Sequence, residues 1–241
     1  MIKNKELIKK RFSKSLKTYS GNAVVQKQMA EKLADEISGL KFDKILELGC
    51  GTGFVTKELL KQNEFSEYVA IDMVGDCEKY ISEISDKIMF VCGDIEDNKD
   101  IYNSKYNLII SNAVMQWIDD LPQFIGKLKE NLTDNGYLVF TLFGKENYKE
   151  LIPFVKNPLR YYSVDEIKEI CDGFKIIKVY DEKFVMEFET PTDVLRHIKN
   201  TGVNALSQTR WTKSDLISFE NEYPEKVTLT YHPIYIVVVK G

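Results

Sequence analysis

A chain of 241 residues with 44% apolar and 29% charged side chains holds enough material for one full α/β core and one modest insertion, and it reads as globular rather than disordered. Its 33 basic and 37 acidic residues leave a formal charge of −4, which argues against a general nucleic-acid surface. No run is apolar and long enough to span a bilayer, and the lysine-rich start lacks the apolar stretch of a signal peptide, so a cytoplasmic protein without membrane or nucleic-acid partners is expected.

Cys50, Cys77, Cys92 and Cys171 stand far apart without a C-x-x-C pair, and His197 and His232 are the two histidines. No metal site is legible in that set, and covalent catalysis is not suggested. Both histidines read as surface or packing residues. Charge is unevenly spread: Lys3, Lys5, Lys9, Lys10, Arg11, Lys14 and Lys17 face one acid, Glu6, in the first 17 residues. That segment is either a solvated helix face or a docking patch for an acidic partner.

Taken in order, the chain opens with helical spacing at Leu7, Ile8, Phe12 and Leu16. After Ser20-Gly21 a second helix is marked by Val24, Val25, Met29, Leu33 and Ile37. The segment 1–40 precedes the first strand pattern and is expected to form a helical lid. The apolar run Ile45-Leu46-Glu47-Leu48 then breaks into Gly49-Cys50-Gly51-Thr52-Gly53, and a helical pattern starts at Phe54. A strand, a tight turn and a helix N-terminus follow from that order. Glycines suit a turn that a ligand must approach closely, and the helix start offers N–H groups to it. A ligand-free turn also favours glycine. A nicotinamide dinucleotide is disfavoured, because Phe54 stands where that fingerprint needs its third glycine.

Short strands alternating with helices continue through Tyr68–Ile71, Ile88–Val91, Tyr106–Ile110 and, after a helix over 121–132 and the turn signal Asp134-Asn135-Gly136, Tyr137–Thr141. Such repeats predict a mostly parallel sheet covered on both faces, with ligands beyond the carboxyl ends of its strands. Asp72 closes the second strand 19 residues after Gly53 and suits the two hydroxyls of a ribose. The segment 174–188 reads as strand, 191–223 as helix and loop forming an inserted cap, and 227–240 as strand again. One domain is expected, with a core over 41–190, the cap at 191–223 and a last core strand within 224–241.

The G-x-G-x-G spacing, preceded by Glu47, resembles motif I of the class I S-adenosylmethionine (SAM) methyltransferases. That resemblance implies a Rossmann-like, seven-stranded sheet whose last strand is antiparallel. It implies a SAM site with Glu47, Gly49, Cys50, Gly51 and Gly53 at the loop, Asp72 on the ribose, and Asp94 on the adenine amino group. Met73 and Ile95 would flank the ring, and Asn112 would lie near the methionine part.

A narrower resemblance rests on three further segments: Phe12–Tyr19 with Val25-Gln26, Ser111–Trp117 with Asp119–Pro122, and Leu195-Arg196-His197-Ile198-Lys199-Asn200-Thr201-Gly202. Together they are similar to the malonyl-acyl carrier protein O-methyltransferases of biotin synthesis, from about Arg11 onward, departing in the lysine-rich composition and at Asn204-Ala205. The resemblance implies methylation of the free carboxylate of a malonyl thioester on the carrier protein. Arg196 is then the expected carboxylate clamp, with Lys199 assisting it or meeting the phosphopantetheine arm. Tyr19 and Gln26 would close over the methyl donor and orient the acceptor, with Gln116 and Trp117 as a wall. Lys9, Lys10, Arg11 and Lys14 would steer the acidic carrier to a monomeric enzyme. A methyltransferase for a small acid or quinone-type metabolite, and a non-catalytic SAM- or carrier-binding module, stay open beside this reading.

Overall fold

The computed structural model describes residues 4–155, 159–201, 212–223 and 226–241. Lys3 of the basic segment, Gly202 of the cap motif, Asn204-Ala205, residues 202–211 of the expected cap and 224–225 of the last segment lie outside the described residues.

Two helices come first, α1 (Lys5–Asn22) and α2 (Val24–Asp35). The Asn4 side chain caps α1 by accepting from the Leu7 N–H at 2.9 Å, satisfying a donor that has no partner inside the helix. The expected break at Ser20-Gly21 falls slightly later, at Ala23, whose N–H closes on the Tyr19 carbonyl. The core follows as β1 (Lys44–Leu48), α3 (Phe54–Leu60), β2 (Glu67–Asp72), α4 (Cys77–Ile84), β3 (Met89–Cys92), β4 (Tyr106–Ser111), α5 (Leu121–Glu130), β5 (Leu132–Phe143), α6 (Val164–Ile170) and β6 (Lys175–Asp181). It ends with β7 (Phe184–Phe188), α7 (Pro191–Asn200), α8 (Lys213–Glu222), β8 (Val227–Tyr231) and β9 (Pro233–Val239). Leu132, expected as the end of a helix, instead opens β5. The turn signal after it becomes an irregularity inside that strand, with Asn135 at φ 58°.

The seven-stranded sheet has the order β3-β2-β1-β4-β5-β9-β6. Strands β1 to β5 pair in parallel, while β9 runs antiparallel to both β5 and β6. This is the class I SAM methyltransferase architecture that the glycine motif implies. Alternate residues of each central strand feed two cores. Ile45 and Leu108 join the face covered by α2, α3 and α4, and Leu46 and Ile109 join the face covered by α5 and α6. Burial on both faces explains why these strands are continuously apolar. The chain passes from β1 to β2 on one side and β4 lies on the other, so a crevice opens beyond the carboxyl ends of β1 and β4.

The carboxyl part differs from the two long strands expected. Each breaks in the middle. Asp181 and His232 bond across the break (2.6 Å), and Pro233 has no N–H to continue a ladder. The halves beyond it, β7 and β8, form a separate antiparallel pair, against which α7 packs through buried Val194 and Ile198. His197 bonds the Tyr231 hydroxyl (2.7 Å) and is held below its ordinary pKa by burial, and His232 also accepts from the Glu146 N–H. Both histidines are packing residues.

Candidate active site

Gly49, Gly51 and Gly53 all take positive φ (71°, 52° and 78°). A Cβ on Gly49 would lie 2.4 Å from Val114 Cγ2, so the loop can pass the β4 end only without a side chain. The three glycines have different surroundings. Gly49 and Gly51 line a cleft at the switch point, whereas Gly53 faces Ile84 and Ile81 and is a packing glycine rather than part of the ligand surface. The loop's N–H groups are also less open than its helix-start geometry suggests. Gly49 and Cys50 donate to the Ile71 carbonyl, Gly51 donates to Asp72 Oδ2 at 3.0 Å, and Gly53 donates to the Cys50 carbonyl. The loop is therefore tied to the end of β2.

Asp72 carries that tie. It is buried at 6% exposure and accepts from the Gly51 and Val74 N–H groups, one on each oxygen. Burial raises its pKa, against the pull of those donors. Each oxygen keeps acceptor capacity for a hydroxyl. Glu47 lies under the loop at 2% exposure. Its Oε2 takes the Thr56 hydroxyl at 2.7 Å and the Tyr68 hydroxyl. Burial pushes its pKa up to about 7, the two hydroxyls offsetting part of the effect. Met73, Asp94, Ile95 and Asn112 complete the donor end of the cleft.

Lys5, read in the sequence only as part of the basic N-terminal segment, and Glu96, not singled out there, line the same cleft. Lys5 Nζ lies 2.7 Å from Asp94 and 2.8 Å from Glu96. Burial alone would lower the Lys5 pKa, but the two carboxylates outweigh it and raise it. The start of α1 is thereby latched to the loop after β3. A lysine in a lysine-rich segment carries no local signal of that long-range pairing.

Asn112, on the cleft lining, also joins three elements. Its Nδ2 donates to the Gln26 carbonyl (2.9 Å), and its Oδ1 accepts from the Thr141 hydroxyl (2.7 Å). Both amide ends are engaged in joining α2 to β4 and β5. Thr141 in turn accepts from the N–H of Ala113 (2.9 Å), which holds φ 56° beside the cleft.

The other wall comes from α1, α2 and the 3₁₀ turn Met115–Trp117. Tyr19 packs edge-on to Phe12 and stacks on Phe54, with centroids 5.0 and 5.7 Å away. Burial, then the nearby Asp72 charge, raises the Tyr19 pKa, so it stays a neutral phenol. Gln26 and Gln116 are buried at 2% and 3% exposure. Gln116 Nε2 donates to the Ala113 carbonyl at 2.6 Å. Its Oε1 and both polar atoms of the Gln26 side chain have no partner among the described residues. Trp117, Phe143 and Thr201 close this end.

Arg196 and Lys199 do not join the cleft. Helix α7 turns Val194 and Ile198 inward, leaving Lys199 exposed and Arg196 with 64% of its side chain exposed and paired to Asp193 at 2.5 Å. The residue expected as a clamp thus stands outside the cleft in this structure. Lys9, Lys10 and Lys14 are exposed on α1, away from the cleft-lining Ile8, Phe12 and Tyr19, and Arg11 is half-buried.

The donor end thus gathers Glu47, Asp72, Asp94 and Glu96 against one cation, Lys5, among the described lining residues. Such a field suits a ligand with a cationic amino-acid and sulfonium part and disfavours a pyrophosphate. With the bare backbone at Gly51 and a buried carboxylate still able to accept two hydroxyls, it fits SAM. No helix among the described residues is long and apolar enough to cross a membrane.

A family model described as a methyltransferase domain matches residues 25–178. Malonyl-[acyl-carrier protein] O-methyltransferase of Calditerrivibrio nitroreducens is 38% identical, over 97% of this chain and 96% of that protein. The protein of the same name from Chlorobium luteolum is 33% identical, over 99% and 97%. Among solved structures, the N-methyltransferase NodS of Bradyrhizobium japonicum in complex with S-adenosyl-L-homocysteine superposes with a TM-score of 0.54 at 12% identity, over 89% of this chain and 85% of that one, a likeness of fold. Near-full-length identity with the first two, on a fold and cleft of this kind, makes the chain a member of the SAM-dependent malonyl-[acyl-carrier protein] O-methyltransferase family.

Proposed function

We propose that the protein methylates the free carboxylate of a malonyl group carried as a thioester on acyl carrier protein. The ester would enter the biotin precursor route that the resemblance implies. The observation that carries this reading is the absence of a base at the acceptor end among the described residues. Tyr19 is held neutral by burial, as is the Cys50 thiol, while Glu47 and Asp72 belong to the donor end. An acceptor that must lose a proton is poorly served there, whereas a carboxylate is already ionised at neutral pH. That favours an acid over a phenol or quinol acceptor.

SAM supplies a methyl group on a sulfonium sulfur, and the new O–C bond forms as the C–S bond breaks and sulfur keeps the electron pair. The chain's part is to bind, orient and exclude water. Asp72 would take the ribose hydroxyls, Glu47 would face the cationic amino-acid part, and Asp94 with Met73 and Ile95 would frame the adenine. Tyr19 and Trp117 would close over the reacting groups.

The exposed Lys9, Lys10 and Lys14 would attract the acidic carrier to the cleft mouth. This predicts a Michaelis constant for malonyl-acyl carrier protein that rises steeply with salt. Reversing those three lysines to Glu should raise it and flatten the salt dependence, and an unchanged constant would refute docking there. For the reaction itself, labelled SAM is incubated with malonyl-acyl carrier protein. Label on the carrier that an esterase releases supports a methyl ester, and stable or absent label argues for another acceptor.

A further inference from the structure

Several polar groups lining the cleft can be followed to a partner. Thr201 Oγ1 donates to the Ile198 carbonyl, Gln116 Nε2 to the Ala113 carbonyl, and Asn112 Nδ2 to the Gln26 carbonyl. Lys5 is engaged by Asp94 and Glu96, and Arg196 by Asp193 outside the cleft. What remains buried without a partner is the side-chain amide of Gln26, at both its nitrogen and its oxygen, and the carbonyl oxygen of Gln116. A buried amide left unpaired loses the hydrogen bonds it would make to water, so these atoms mark where a ligand's polar groups could complete the site.

The two amides are not equivalent. The bond to Ala113 fixes Gln116 so that it presents an acceptor, which repels an anion and suits the cationic half of the donor. Gln26 has no internal bond to fix it and can turn its NH₂ toward the cleft. Its backbone carbonyl anchors α2 to Asn112, so the side chain is left for recognition.

We propose that the Gln26 amide, and not a cation, holds the reacting carboxylate, an assignment that rests on the carboxyl-methylation reading above. The physical reason is charge economy. The donor is itself a cation, so a carboxylate beside it needs no second positive charge. A guanidinium there would repel the sulfonium and draw electron density from the attacking oxygen. A neutral N–H donor orients the carboxylate and leaves it nucleophilic. Trp117 lines the same cleft.

The test compares Gln26→Met, Gln26→Glu and Arg196→Gln with the wild type. Three quantities are read: S-adenosylhomocysteine affinity, binding of malonyl-acyl carrier protein to the S-adenosylhomocysteine-loaded enzyme, and methyl transfer. Gln26→Met should keep S-adenosylhomocysteine affinity and should not lower the melting temperature. It should weaken malonyl-carrier binding and lower kcat/KM by about 10- to 100-fold, the range of one hydrogen bond to a charged group. Gln26→Glu should be still less active at pH 8 and recover toward acid pH, where a protonated carboxyl regains an O–H donor. Arg196→Gln should change methyl transfer less than about threefold, as expected of an exposed pair. Gln26→Met with wild-type carrier binding and turnover, or a large loss confined to Arg196→Gln, overturns the assignment while the reaction stands. A wild type that binds S-adenosylhomocysteine but transfers nothing to the malonyl carrier overturns the reaction and the assignment together.

Discussion

The two ends of the cleft are built on different terms. At the donor end the loop N–H groups, Asp72 and one oxygen of Glu47 already hold partners within the protein. At the acceptor end the buried amide of Gln26 and the carbonyl of Gln116 have none among the described residues. The donor end comes from one stretch of β-α units, whose strand ends are placed by a sheet buried on both faces. The acceptor end is assembled from α1, α2, the turn after β4, and Thr201 beyond α7. The contrast teaches that the donor end is preorganised by the core, while the acceptor end holds buried polar atoms that, on the assignment proposed above, the substrate would pair.

The largest effect that would break this contrast lies in the loop. Gly49→Ala places a Cβ against Val114 at a positive φ, and calorimetry should find S-adenosylhomocysteine affinity reduced by more than about 100-fold, with lost stability. Gly126→Ala on the exposed face of α5, where a Cβ meets nothing within 4 Å, should instead stabilise by about 0.5–1 kcal/mol in urea unfolding. Equal losses at both positions would remove the loop's special standing.

Next in size, Asp72→Asn confronts one of its two N–H donors with an NH₂ group. Titration with S-adenosylhomocysteine should register a loss of about 10- to 100-fold, without a change in preference among acceptors. A shift in that preference would mean that the two ends are not separable.

Glu47 sharpens the comparison through pH. Ionised Glu47 favours a cationic ligand, so SAM affinity should fall as pH drops through about 7, and Glu47→Gln should bind weakly with little pH dependence. Stability moves the other way. The folded pKa lies above the unfolded value, so this group's contribution is fully present below the unfolded pKa of about 4.5 and is lost as pH rises toward about 7. Ligand-free Glu47→Gln should therefore melt higher than the wild type at pH 8. An equal or lower melting temperature there would contradict a burial-raised carboxyl.

The smallest effect expected is at Lys5, whose paired side chain is partly exposed. Lys5→Met should quicken S-adenosylhomocysteine release about two- to fivefold in stopped-flow, as a partly solvated latch allows. An unchanged release rate would show that the α1 start does not gate the donor end.

Much of the donor end was legible because its signals are local. An apolar run breaking into glycines reports a turn, and an acid closing the next strand reports a polar group at a strand end, whereas the tie between Gly51 and Asp72, 21 positions apart, was not read. The mostly parallel sheet followed from alternating strand and helix patterns, although the splitting of the carboxyl strands did not, for Asp181 meets His232 across 51 positions of sequence. The acceptor end was less legible for the same reason. Gln26 could be named as a site residue, but its lack of a partner appears only when α2 is docked. Asn112 is occupied by Thr141 and by α2. Arg196 sits in a segment whose basic pattern suits a clamp, yet Val194 and Ile198 fix which face of α7 turns inward and leave the guanidinium outside.

The most direct measurement is methyl transfer from labelled SAM to malonyl-acyl carrier protein, run beside malonyl-coenzyme A and acetyl-acyl carrier protein, with product masses recorded. One added methyl on the malonyl carrier, less on malonyl-coenzyme A and none on the acetyl carrier is the predicted result. Methylation of the acetyl carrier, or no transfer to either malonyl thioester by an enzyme that binds SAM, would contradict a carboxylate acceptor.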